Sequence, residues 1–574
     1  LYAPSTHIQP KLCYNICIIC IRIFKSRQEE PNMAKVEGKL VLPEGAKDLY
    51  GASESALNFP GPEPEVPEAD ITAEFDTDVL VLGGGHAGLQ CALAAVEGGA
   101  RVAVIESKPE ERMTWLGEQV ASFNSEFLTK LGFGNYDLDD IIDEYDRCGA
   151  FRTNHKVMAR FVRNSGEMLD HLLSLIPADS DILDPDQYNI HQAYGNPSYP
   201  IVRGGYRTWA STIEFRGKVV TTRDVNYPVG KFSRLKDICA IVLRRTQELG
   251  AQWYFGHKLV KLTRSDDGRV DGAIVKSASG KLVRFRAAKG AVLCTGNFDS
   301  TGLKAGIWAG GHLDNTPMPP VQIRTSGDGA RAFGQTAFPL LNAKGNRFVN
   351  ESVAYALPAA MENQPGDFIT MVTDANWLEQ VRLAPVHHGC PDFGRPEYIE
   401  QVVTDMARVP GTGKEGYGVR SCSFSEREQL TMYAADTLKE LADLLGMTGK
   451  AKENWLASVE RYNTMCDQKH DEDFGKDPIT LLPVRKAPFY GCVTKLPKRD
   501  WTKRAPYLND LGGLYTDENM NVLDADLEPI PGLYAAGNTL GGRFSVFYPT
   551  PCGGSYIGSA MTLGRLIGKE LAAQ

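Results

Sequence analysis

Asp78-Val79-Leu80-Val81-Leu82-Gly83-Gly84-Gly85-His86-Ala87-Gly88 decides the fold. Asp78 to Leu82 reads as a short apolar strand, the glycine cluster as a turn, Leu89 to Gly98 as an alanine-rich helix, and Arg101 to Glu106 as a second strand. Together they form a βαβ unit of about thirty residues. The glycines fit G-x-G-x-x-G: Gly83 permits the turn, Gly85 lets the backbone approach a pyrophosphate, and Gly88 lets helix and strand pack closely. His86 and Ala87 stand at the helix start, where free N–H groups and the helix dipole favour anions. Glu106, 18 residues beyond Gly88, accepts from ribose hydroxyls and repels a 2′-phosphate, and Ser107 and Lys108 continue that edge. A dinucleotide site is expected at Gly83, Gly85, His86, Ala87, Gly88, Glu106, Ser107 and Lys108, with NAD and FAD both open at this point.

Outward from that turn, 574 residues leave room for several domains. Lys and Arg total 62 against 71 Asp and Glu, a net charge of −9, which gives no electrostatic footprint for nucleic acid or an anionic membrane. A small-molecule substrate remains. Most of the 12 cysteines are isolated singles, the pattern of buried thiols in a reducing, cytoplasmic setting. Cys13, Cys17 and Cys20 are the exception, in an apolar stretch from Leu12 to Phe24 that is too short to span a bilayer at about 20 residues. Because the first methionine is Met33, residues 1–32 read as upstream or spurious sequence. No metal site is expected: His387 and His388, near Cys390, point to opposite sides of an extended chain.

Apolar spacing predicts helices over 138–148, 155–175, 234–249, 302–311, 425–445, 452–468 and 554–571. Strands are expected over 252–255, 259–264, 270–277, 282–287, 290–299 and 533–538, with turns at Asp267-Gly268 and Ser279-Gly280. The fold class is α/β: a Rossmann-like dinucleotide domain carrying an inserted α+β domain. Its expected divisions are a leader at 1–74, the first part of the dinucleotide domain at 75–314, the insertion at 315–485, and the second part at 486–574.

Pro531-Gly532-Leu533-Tyr534-Ala535-Ala536-Gly537-Asn538, with Ala291 to Gly296, resembles the returning strands of two-domain flavoproteins. Over roughly residues 75 to 574 the chain resembles the fumarate reductase and 3-ketosteroid dehydrogenase flavoprotein superfamily. Asn342 to Glu351, Val459 to Asn463 followed by Asp473 to Lys476, and Ala487 to Tyr490 agree with it. The resemblance implies FAD, bound non-covalently and extended, a mobile cap that closes over the flavin, and flavin contacts from Thr295, Gly296, Gly537, Asn538, Ser555 and Ile557. His86 is a poor candidate for a covalent link, since it lies inside the pyrophosphate turn. The connection after Asn297-Phe298-Asp299 is shorter than the lid-like segment usual in the superfamily.

At the active site the resemblance divides. The fumarate branch places an arginine four residues after the Asn-Glu pair, where this chain has Tyr355, and lacks here its histidine and arginine clamps. The ketosteroid branch carries a tyrosine there, an Ala-Ala-Gly-Asn-Thr turn, and a Tyr-Pro segment before a glycine pair; here Tyr548 and Gly553-Gly554 are separated by one extra residue. The implied chemistry is hydride exchange between flavin N5 and a carbon β to a carbonyl. Tyr548 with a Gly553 or Gly554 amide would polarise the carbonyl, and Tyr355 would exchange the α proton. A phenol of pKa about 10 serves more readily as an acid than as a base, which favours reduction of an enone. Two alternatives stand beside this: a reductase of an unsaturated carboxylate using cations such as Arg324 or Arg543, and a catalytically silent flavin-binding subunit. The electron donor or acceptor is unidentified.

Overall fold

The computed structural model describes residues 60–574, except 186, 192–200, 202–204, 216–233, 298–299, 315–336, 353–359, 362–363, 384–402, 405, 408, 410–416, 421–428, 497–510, 545–547 and 549–550. The chain divides into two compact units, and every element below lies in the second, Glu63–Gln574.

Strand β1 (Ile71–Leu82) begins inside the stretch expected as leader. Arg284 pins its outer half through ion pairs to Glu74 and to Glu68 just before it. Val79 to Leu82 are fully buried, as a strand covered on both faces must be. Helix α1 (His86–Glu97) starts earlier than Leu89 because Gly85 is already its N-cap. Then follow β2 (Val102–Glu106), β3 (Gln119–Ala121), α2 (Leu138–Cys148), α3 (His155–Ser174), β4 (Asn189–Ile190), β5 (Thr212–Glu214) and α4 (Leu235–Glu248). Asp137 and Asn154 cap α2 and α3 with their side chains, which fixes both starts where the spacing predicts them.

Next come β6 (Gln252–Phe255), β7 (Lys258–Arg264), β8 (Val270–Lys276), β9 (Leu282–Leu293) and α5 (Thr301–Trp308). The two strands expected over 282–287 and 290–299 are one. Beside β1 the register slips between Ala287 and Gly290, so a bulge interrupts the apolar pattern without ending the strand.

The second half supplies β10 (Leu340–Asn342), β11 (Phe368–Thr373), β12 (Tyr417–Arg420), β13 (Gln429–Ala435), α6 (Gly449–Gln468) and β14 (Phe489–Lys495). Then come β15 (Asn521–Leu523), β16 (Pro529–Ala535) and α7 (Ser555–Ala573). The helix expected over 425–445 is corrected: Gln429–Ala435 is a strand, and a short helix, Leu438–Leu444, follows it. Met432 and Ala434 bury on one face while Tyr433 packs on the other, a period of two. Pairing with β14 overrides local helix preference, and Thr437 caps a fresh helix by accepting from Glu440 N.

The larger sheet has the order β15-β16-β9-β1-β2-β6, with β8 beside β9 and β7 beside β8. β1, β2, β6, β9 and β16 run parallel, so Leu82, Glu106, Leu293 and Ala535 end at one edge. In open sheets of this kind ligands bind in the crevice beyond such strand ends. The second sheet is antiparallel, in the order β10-β11-β14-β13-β12, with a separate core on each face. Its strand β14 lies past residue 485. β3, β5 and β4 form a third, small sheet. Among the described residues, seven cysteines are buried free thiols, and no helix is long and apolar enough to cross a membrane.

Small residues let α7 lie directly on α1. A Cβ on Gly564 would stand 2.2 Å from the Ala87 carbonyl oxygen, and one on Gly568 2.3 Å from that of Cys91. The contacts advance in the same direction along both helices, so the two are parallel. Ser555 precedes Gly564 by nine residues and His86 precedes Ala87 by one, which carries the start of α7 about 12 Å past that of α1 at 1.5 Å per residue.

Candidate functional site

The glycine turn sits at the strand-end crevice. Gly83 is left-handed (φ +106°), and Gly88 packs so tightly on it that a Cβ would lie 1.8 Å from the Gly83 carbonyl oxygen. Gly85 is different: no atom lies within 4 Å of where its Cβ would stand. It begins α1 without a side-chain cap, leaving the dipole and first amides to an outside acceptor. His86 Nε2 lies 2.9 Å from the Leu116 carbonyl oxygen, and since a carbonyl only accepts, that nitrogen carries the proton. Its Nδ1 lies 3.7 Å from Cys239 Sγ. Desolvation pulls the His86 pKa down, against the opposing effect of the Leu116 carbonyl.

Glu106, buried at the end of β2, accepts from the Gly84 and Lys108 amides at 2.8 Å each and from Ser107 Oγ at 3.3 Å. Its carboxylate thus stands beside the glycine turn. Thr539 Oγ1 joins two further turns, accepting from the Thr295 amide at 3.1 Å and donating to the Gly296 carbonyl at 3.2 Å. Asn538 Nδ2 donates to Asn297 Oδ1 at 2.7 Å. A Cβ on Gly537 would stand 3.1 Å from that of Ala87, while Gly296 opens onto space free of atoms within 4 Å. Gly83 to Gly88, Glu106 to Lys108, Thr295-Gly296 and Gly537-Asn538 therefore meet at one edge of the sheet.

The second cluster lies where α7 begins. Gly554, left-handed at φ +76°, is its N-cap and brings no side chain to the helix start. A Cβ there would stand 2.6 Å from Gln119 backbone, so only glycine lets the turn approach β3. The Gly554 carbonyl accepts from Ala121 N at 3.2 Å and that of Gly553 from Thr212 Oγ1 at 2.8 Å. Ser555 Oγ donates to the Cys552 carbonyl and bonds the Tyr145 hydroxyl. Ile557 fills the space above Gly117. Tyr548 is buried, and its hydroxyl oxygen accepts from Tyr556 N at 3.0 Å. Burial pushes its phenol pKa up, so it stays neutral. Tyr355 and Arg324 lie outside the described residues, as do Cys13, Cys17, Cys20, His387, His388 and Cys390.

Arg543, 1% exposed, is packed against Phe544 and Tyr556, with its guanidinium carbon 5.3 and 4.8 Å from the ring centres. Nη1 donates to Ser559 Oγ at 2.9 Å and Nε has no partner among the described residues.

Two groupings reach beyond the sequence reading, which expects Arg347 to support the Asn350-Glu351 turn but not its partners elsewhere. The segments Asn342–Glu351 and Asp471–Lys476 close on one another through a buried ionic network. Arg347 forks onto Glu351 at 2.8 and 2.9 Å and onto Asp471 at 3.0 and 2.7 Å. Lys476 Nζ lies 3.3 Å from Glu351 and 3.1 Å from the Tyr462 hydroxyl. Burial works against both carboxylates, yet the cations hold Glu351 and Asp471 below the usual carboxylate range. The other grouping is Gln119, His191 and Glu214 on the small sheet, whose strands of two or three residues carry too short an alternation to read.

The open Gly85 and Gly296, the uncapped start of α1 and the placement of Glu106 fit an extended dinucleotide, with the start of α7 about 12 Å further along. Comparison with known proteins names it. Residues 78–555 match the family model for an FAD binding domain. Vinyl phenol reductase of Lactiplantibacillus plantarum is 23% identical over 86% of this chain and 96% of its own length. Digoxin reductase of Eggerthella lenta is 23% identical over 88% of each. Among solved structures, 3-ketosteroid-Δ4-(5α)-dehydrogenase of Rhodococcus jostii RHA1 shares the fold with a TM-score of 0.58 at 18% identity, over 89% of this chain and all of that one. A matched family model, strand-end glycine turn and returning C-terminal strand make this chain a member of the FAD binding domain family.

Proposed function

We propose that this FAD-dependent oxidoreductase exchanges hydride with a carbon–carbon bond conjugated to a carbonyl, on a neutral substrate, with reduction of an enone favoured. The observation that carries the reading is the neutral set at the start of α7: the Gly553-Gly554 turn, a glycine N-cap, and a Tyr548 phenol held neutral by burial. FAD, bound without a covalent link along the crevice, supplies hydride chemistry at its N5. The chain's own task is to bind, orient and move a proton. Gly83 to Gly88 and α1 hold the pyrophosphate, and Glu106, Ser107 and Lys108 the ribose. Thr295, Gly296, Gly537, Asn538, Ser555 and Ile557 border the flavin. Tyr548 and a Gly553 or Gly554 amide polarise the substrate carbonyl, where fixed donors act strongly in a dry site. Tyr355 delivers the proton to the α carbon. The insertion beginning near 315 acts as the cap, and the place of β14 in the second sheet supports moving its end from 485 to about 496. Relatives named vinyl phenol reductase and digoxin reductase support a C=C reductase.

Arg543 favours a second reading, an unsaturated carboxylate as substrate. It is a buried guanidinium that no carboxylate pairs with among the described residues, and a buried cation gains most from an anionic partner. Anaerobic mixing of the dithionite-reduced enzyme with a panel of unsaturated ketones and acids separates the two. The first reading expects the flavin absorbance to return with enones and not with fumarate. Reoxidation by acids alone, lost in Arg543→Met, would establish the second.

A further inference from the structure

The small sheet β3-β5-β4 has two unlike faces. Val120, Ile190 and Ile213 enter one apolar core. Gln119, Asn189, Thr212 and Glu214 take the alternate positions, and the register sets Gln119 and Asn189 on either side of Glu214. That polar side is buried too: Thr212 and Glu214 are 0% exposed and Gln119 8%. The bond from Thr212 Oγ1 to the Gly553 carbonyl sets this side against the turn before α7.

His191 Nε2 lies 2.8 Å from Glu214 Oε2, and because a carboxylate only accepts, that nitrogen carries hydrogen. Gln119 Nε2 stands 3.4 Å from the same nitrogen, and its Oε1 3.4 Å from where a Cβ on Gly553 would stand. Two donors facing one another repel, so the amide is better turned over, with its oxygen toward His191 and its NH2 toward Gly553. Asn189 Nδ2 is a second buried donor without a partner among the described residues. So turned, the Gln119 NH2 faces a glycine turn whose Gly553 carbonyl already accepts from Thr212, and leaving a buried donor unmatched is costly.

We propose that Gln119 is a further ligand-contacting residue, donating to a carbonyl oxygen brought beside Gly553. His191 and Glu214 are positioning residues that fix its amide. The oxygen belongs to a carbonyl of the flavin ring or to the substrate carbonyl; only the second source rests on the proposed function.

The test uses the FAD-loaded enzyme carrying Gln119→Leu, with Gln119→Met as a second variant. Two quantities are read: the flavin midpoint potential without substrate, and KM for an enone that reoxidises the unmodified enzyme. A flavin contact lowers the potential by about 30 mV, a tenfold change for a two-electron couple, with KM unchanged. A substrate contact raises KM about tenfold and leaves the potential alone. His191→Leu reproduces part of whichever shift occurs, while FAD content holds. The proposal is overturned if neither quantity moves in either Gln119 variant, or if both variants fail to fold with FAD. Should no enone reoxidise the unmodified enzyme, the functional reading fails separately and the potential alone decides, an unchanged value overturning the proposal.

Discussion

Gly85→Ala and Gly88→Ala both lower FAD affinity at least about tenfold, yet only Gly88→Ala destabilises the FAD-free protein. A helical glycine replaced by alanine ordinarily gains up to about 1 kcal/mol. At Gly88 that gain is overwhelmed, because the new Cβ would stand 1.8 Å from the Gly83 carbonyl oxygen and α1 must move off β1. Overpacking of this kind costs roughly 1–3 kcal/mol, sometimes more. At Gly85 nothing lies within 4 Å and the backbone is extended (φ −69°), so the folded chain accepts the methyl. The methyl then occupies space in which the backbone would approach the pyrophosphate. Flavin fluorescence titration and thermal unfolding of the FAD-free forms check this pair; equal stability losses would show that Gly85 is only a turn residue.

Asp471→Asn is expected to cost about 3–5 kcal/mol, the usual penalty for leaving one member of a buried ion pair behind. Arg347 and Lys476 would then share the single carboxylate of Glu351. The acid dependence has a definite sign. Arg347 and neighbouring amides hold the Asp471 pKa down to about 2, below an ordinary value near 3.9. A carboxyl depressed in the folded state stabilises above its unfolded pKa, and the stabilisation is lost as pH falls through the folded one. Unfolding midpoints of the unmodified protein should fall between about pH 4 and 2, and this segment of the profile should flatten in Asp471→Asn. An unchanged profile would remove Asp471 from the network. Because Glu351 is the root of the segment leading to Tyr355, the same substitution should also slow turnover.

The fold was legible where a local pattern and a long-range constraint agree. Gly83 to Gly88 between two apolar runs admits few structures, and α2, α3 and α4 carry clear helical spacing with caps or buried stripes. Gln429–Ala435 misleads because its residues suit a helix, and only pairing with β14 makes it a strand. β9 looks broken because a bulge at Ala288-Lys289 hides its continuity. At the site, Glu106 and the two glycine-bearing turns stand close to their expected positions because strand ends fix them. Gln119, His191 and Glu214 are far apart in sequence and meet only through the register of a three-stranded sheet. Arg347 and Asp471 likewise sit in segments whose adjacency no spacing announces.

The central claim is hydride exchange between flavin and a conjugated carbon–carbon bond. It is tested most directly by an anaerobic single turnover, in which fully reduced enzyme is mixed with the best enone from the panel. Flavin reoxidation and saturated product are then quantified together. The account predicts one saturated ketone per flavin reoxidised, and a rate that falls in Tyr355→Phe by about 10²-fold, the lower end of general acid catalysis. Bound FAD that stays reduced with every enone and acid, or that reoxidises without saturated product, would contradict it.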